Sequence, residues 1–149
     1  MILKDQLMID LKAAMKAKNV IEKSTITMLR AAIKQIEIDK RVELENQDVI
    51  EIIAKQVKQK KGSIEEFAKM DRTDLIEEAQ AEIKILSNYL PEPFTSEEVA
   101  KLISDAIAST GASSPKEMGK VMGIVNPQVV GRADGKTVSS LVKEMLSNL

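Results

Sequence analysis

The chain has 149 residues, 44% of them apolar, and a nearly balanced charge of 22 basic against 23 acidic residues. It has no cysteine and no histidine, which excludes disulfides, thiolate metal sites, cysteine nucleophiles and the commonest general base. Residues 1–90 carry 16 charges of each sign and residues 91–149 carry six basic against seven acidic, so a nucleic-acid surface has to be a local patch.

Phe67, Tyr89 and Phe94 are the only aromatic residues, so the core is expected to be aliphatic, with eight Met as flexible fillers. Leu3, Leu7, Leu11 and Met15 repeat every four residues and predict a first helix over roughly residues 2–18. Ile26, Leu29, Ile33 and Ile36 predict a second that fades near Lys40. Asn46 is the expected N-cap of a third, with Asp48 and Glu51 in its first turn. Gly62-Ser63 interrupts that third stripe; continuation is favoured over a break, although Ser63 and Glu66 have capping-box spacing. Asp71 or Thr73 opens a fourth helix carrying Leu75, Ala79, Ile83, Leu86 and Leu90 inward.

Pro91 and Pro93 end this run, and Tyr89 to Phe94 reads as a stiff joint. Two domains are expected, 1–90 with four helices and 95–149 with three. Thr95 and Glu98 form a capping box for helix five, and Gly111 is its stop. Ser114, Pro115 and Glu117 repeat the start signal for helix six, which Pro127 should curtail near Asn126. Gly131 suits a left-handed turn, and Asp134 can cap helix seven, with Val138, Leu141, Val142 and Met145 facing inward. No strand alternation persists, so the expected fold class is all-α.

No stretch approaches the roughly 18 to 20 apolar residues of a membrane span. Lys4, Asp5, Asp10 and Lys12 interrupt the apolar runs of a signal peptide. The expectation is a soluble, cytoplasmic protein without membrane association.

Candidate chemistry is sparse. Adjacent carboxylates such as Glu65 and Glu66 or Glu77 and Glu78 point about 100° apart on a helix, and no histidine completes a Glu78–Glu82 metal site. Ser113-Ser114 and Ser139-Ser140 lack a base, and no phosphate-binding glycine motif occurs. Lys55, Lys58, Lys60 and Lys61 read as a solvated face. Neither a catalytic group, a metal nor a cofactor is assigned.

The run from Glu117 to Lys136 stands apart. Gly119 and Gly123 share a helical face, and each costs roughly 1 kcal/mol against alanine, which suggests close approach of another backbone. Lys120 lies between them, and Arg132 and Lys136 flank Asp134. Lysine beside glycine lets a phosphate come near both charge and main-chain amides, so Lys120, Arg132 and Lys136 are the candidate RNA-binding residues.

The stretches TMLRAAIKQIEI (27–38), AEIKILSNYLPEPFTSEEV (81–99) and EMGKVMGIVNPQVVGRADGKTVSSLVKEML (117–146) resemble the YqeY family. That family is related to the C-terminal tail domain of the bacterial aspartyl/glutamyl-tRNA amidotransferase (GatB/YqeY). The signature maps to Met118, Gly119, Met122, Gly123, Gly131, Ala133 and Asp134. The resemblance implies two helical units, the second of a type thought to help hold tRNA. The chain lacks both the large catalytic body that carries this tail in the amidotransferase and the separate amidase that releases ammonia, so self-sufficient catalysis is not expected. Three readings follow: a module binding tRNA or another structured RNA, an accessory component of a carbon–nitrogen ligase with glutamine as amido-N-donor, or a protein-interaction adaptor. Oligomeric state is not fixed by the sequence.

Overall fold

The structure, a computed structural model, describes residues 2–149. Every regular element among them is helical. The helices are α1 (Leu3–Lys16), α2 (Val20–Lys40), α3 (Asn46–Lys69), α4 (Thr73–Ser87), α5 (Ser96–Thr110), α6 (Met118–Val129) and α7 (Gly135–Ser147), with a 3₁₀ turn at Pro115–Glu117. They cluster into two compact units, Met1–Leu90 and Pro91–Leu149.

In the first unit, α1 pairs with α2 and α3 with α4. Leu7, Ile26, Leu29, Val49, Ile53 and Leu86 are buried at its centre. Each such side chain contributes about 1.5–3 kcal/mol by leaving water. Asn19 separates α1 from α2: its Oδ1 accepts the Glu22 amide at 3.1 Å while its Nδ2 donates to the Glu22 carboxylate at 3.0 Å. The first bond is the cap and the second steadies the capping side chain, which places the start of α2 well before the first buried isoleucine.

Several local expectations are corrected. Asn46 is the first residue of α3 and not its cap, because Glu45 holds the cap position and its amide donates to Asp48 Oδ2 at 2.9 Å. The Asn46 side chain instead accepts the Leu3 amide at 2.9 Å and so closes the start of α1. Helix α3 continues through Gly62, as favoured, with Ser63 bonded back to the Gln59 carbonyl at 3.1 Å. Helix α4 opens at Thr73, one of the two starts expected. Arg72 holds the cap position with its guanidinium on Asp74 at 3.0–3.1 Å, and Asp71 takes a left-handed φ of 54°.

In the second unit, Val99, Ile103 and Ala106 of α5 meet Val121, Val125 and Val129 of α6 and Val138, Val142 and Leu146 of α7. Thr95 and Glu98 form the capping box, at 3.1 and 3.2 Å, and Gly111 ends α5 at φ 69°. Ser114 makes no side-chain cap; the Glu117 carboxylate reaches back to the Ser113 amide at 2.6 Å instead. Pro127 does not curtail α6 near Asn126, since the helix runs on to Val129. Proline removes only its own amide, the one that would serve the Gly123 carbonyl, and burial of Val129 in the core holds the last turn.

Candidate functional site

The signature run divides by position into residues that build the fold and residues left open. Met118, Met122 and Ala133 are partly buried and pack against the valine core. Gly131 has φ 75°, the left-handed turn that glycine takes without strain. Asp134 occupies the N-cap of α7, but its carboxylate accepts the Thr137 hydroxyl at 3.2 Å and makes no bond to a cap amide.

Arg132 is also structural. Its Nε donates to the Glu92 carbonyl at 2.8 Å, its own carbonyl accepts the Phe94 amide at 2.8 Å, and its guanidinium stacks on the Phe94 ring. These contacts fasten the segment before α5 to the turn before α7. A guanidinium so engaged has less freedom to meet a phosphate than a solvated one.

The open residues lie on α6 and at the start of α7. Gly119, Lys120, Gly123, Asn126 and Pro127 are all exposed, and a 100° step per residue gathers them on one face opposite Val121 and Val125. A Cβ built at Gly119 or Gly123 meets nothing within 4 Å. The close backbone approach expected at these glycines therefore does not occur inside the chain. Lys120 is exposed and lies 3.8 Å from Glu117, a loose surface pair. Glu117 is held below the usual carboxylate range chiefly by the Ser113 amide, then by Lys120. Lys136, in the first turn of α7, is exposed and forms no ion pair among the described residues.

The three candidate cations are thus not equivalent. Lys120 and Lys136 are solvent-facing, and Arg132 is committed to the fold. Lys120 lies about 14 Å of helical rise before the end of α6, and Lys136 stands in the first turn of α7.

No group of three or more acidic, histidine or cysteine side chains among the described residues is placed to hold a metal. None of the described helices is long and apolar enough to cross a membrane.

With this geometry established, comparison with known proteins adds the family. The model of Yqey-like proteins matches residues 4–146. The chain belongs to the YqeY family. Among curated relatives it is similar to proteins named "Altered inheritance of mitochondria protein 41, mitochondrial". The Lachancea thermotolerans protein is 39% identical over 71% of this chain and 58% of its own length. The Kluyveromyces lactis protein is 38% identical over 90% of the chain and 70% of its own, and the Pyrenophora tritici-repentis protein 33% over 95% and 79%. These names overturn the expectation of a cytoplasmic protein, since they point to mitochondria. The charged residues near the N-terminus that suggest the cytoplasm describe the folded α1 and not its address.

Proposed function

We propose that the second unit binds a structured RNA, with tRNA the favoured class, through the open face of α6 and the exposed ammonium groups of Lys120 and Lys136. One observation carries this reading: two glycines stand on an exposed helical face with nothing over them. Glycine at such positions weakens the helix and serves no packing in the chain, so its value lies in admitting an outside backbone. A lysine beside that face supplies the charge a phosphate needs, and main-chain contact positions the nucleic acid without reading bases. The absence of an exposed aromatic platform favours phosphate contact over base stacking. The resemblance to the amidotransferase tail supports tRNA. On this reading the protein positions RNA, and any glutamine-dependent carbon–nitrogen ligation is performed by other chains.

The test is binding of purified tRNA to the whole chain at two salt concentrations. Affinity should fall steeply with salt. Lys120→Glu with Lys136→Glu should abolish most of it while circular dichroism stays unchanged. Undetectable binding at low salt would remove this reading. The same smooth face and near-neutral charge fit a second reading, a protein-interaction adaptor whose partner helix packs on Gly119 and Gly123. In that case Gly123→Leu would block partner binding, with the lysine substitutions having little effect.

A further inference from the structure

A cleft of about 430 Å³ opens between α1 and α2 in the first unit. Lys4, Arg30 and Lys34 supply its charge, the exposed Ala31 its accessible apolar surface above the buried Leu7, and Glu37 is the one acidic side chain lining it. The volume lies within the range of small-ligand sites.

The charges in this cleft are unevenly satisfied. Lys4 donates to Glu37 at 2.8 Å and reaches the exposed Glu43 at 3.4 Å. Glu37 also accepts the Leu44 amide at 2.9 Å, so its charge is largely answered. Arg30 and Lys34 form no hydrogen bond or ion pair among the described residues. Even with Glu43 counted at the rim, positive charge is in excess. The excess fits the wider pattern: α1, α2 and the turn between them carry eight basic against five acidic residues, in a unit that is neutral overall.

Arg30 and Lys34 are four apart on α2, a spacing at which like charges repel and weaken the helix. Half-burial of Arg30 sharpens that cost; Glu37 attracts Lys34 and relieves part of it, whereas Arg30 has no ion-pair partner among the described residues. An anion seated between the two would relieve the rest. A guanidinium fork beside an ammonium matches the several acceptor oxygens of a phosphate, and the cleft volume with the exposed Ala31 leaves room for the organic part of an ester. We infer that the α1–α2 cleft binds a phosphate ester through Arg30 and Lys34, with Lys4 at its edge. That chemistry is shared by a free nucleotide and by one unit of an RNA strand. The inference does not rest on the RNA reading of the second unit, and its residues lie on other helices.

Residue-resolved NMR titration of the whole chain at low salt tests it, with AMP, adenosine and a short single-stranded RNA as probes. AMP should shift the amides of Thr27 to Lys34 saturably at up to millimolar concentration, and adenosine should not. Arg30→Gln with Lys34→Gln should weaken AMP binding about tenfold or more. Lys34→Gln alone, at an exposed position, should weaken it in the same direction should the double variant fold poorly. RNA shifting the same amides assigns the site to a phosphodiester chain; AMP acting without RNA assigns it to a free ester. The inference is overturned if neither probe moves these amides, if adenosine acts as AMP does, or if the glutamine variants bind AMP unchanged. Shifts confined to α6 would concern the proposed RNA surface alone, and would overturn the cleft as a site.

Discussion

The guanidinium carbon of Arg132 sits 3.7 Å from the centroid of the Phe94 ring. The same residue's main chain receives the Phe94 amide and its Nε binds the Glu92 carbonyl. One side chain therefore joins two stretches forty residues apart through charge, stacking and hydrogen bonding. Arg132→Ala should destabilise the second unit by about 2 kcal/mol, from a lost charged hydrogen bond and a lost cation–π contact. Arg132→Lys should recover only part, because a lysine lacks the planar fork. Urea melts of the three proteins decide the point, and equal midpoints would contradict the clamp.

The Lys4–Glu37 pair makes a pH-dependent contribution to the first unit. Glu37 is held below its ordinary carboxylate range, first by Lys4 and then by the Leu44 amide. A lowered folded pKa gives stability that is fully present above the ordinary carboxylate value and disappears as pH falls through the folded one. Lys4 is raised, chiefly by Glu37, so its share is complete below the ordinary lysine value and fades as pH rises through the shifted one. Glu37→Gln should lower the melting temperature at neutral pH, and the gap to the parent should close in acid, as pH falls below the ordinary carboxylate range and through the lowered folded value. A gap unchanged in acid would show that packing, and not charge, sets the effect.

Three glycines should respond with opposite signs. Gly119 and Gly123 lie in a helix with open space where a Cβ would go, so alanine at each should stabilise by roughly 1 kcal/mol. Gly111 also has open space but sits at φ 69°, where an L side chain costs about 1–2 kcal/mol. Gly111→Ala should lower the melting temperature while the α6 variants raise it.

Leu29 is fully buried between helices of the first unit. Leu29→Ala should cost about 2–5 kcal/mol, through lost transfer energy and the cavity left behind. The exposed Met28 beside it should tolerate alanine within about 0.5 kcal/mol. Denaturant midpoints for the two variants give the comparison directly.

Where the sequence was legible, a side chain acted on its own near neighbours. The Thr95–Glu98 box, the Gly111 stop and the inward stripes of α2 and α5 follow from spacings of three and four residues, whereas in α1 the same spacing picks Met15, which is exposed, and misses the buried Ala14. Where it was not, a distant partner changed a local role. Asn46 looks like the cap of its own helix, yet its acceptor serves Leu3, and Glu45 takes the cap. Pro127 reads as a terminator until core contacts at Val129 carry the helix past it. The hold of Arg132 on Phe94 and Glu92 was not legible either, because nothing in its own sequence neighbourhood announces partners some forty residues away. The cleft at Arg30 and Lys34 is hidden in the sequence since Lys4, its third cation, arrives from another helix; the one trace it leaves is two cations four residues apart.

Six of the ten buried residues at the second unit's centre are valine, a β-branched residue that forms isolated helix poorly. α6 adds two glycines and a proline to that handicap. Cut out as a peptide, this segment should be a coil in water, acquiring its shape only when α5 and α7 enclose it. On the proposed RNA reading, its outer side is a property of the assembled trio, so a lesion deep among the valines would silence binding without touching a single exposed atom.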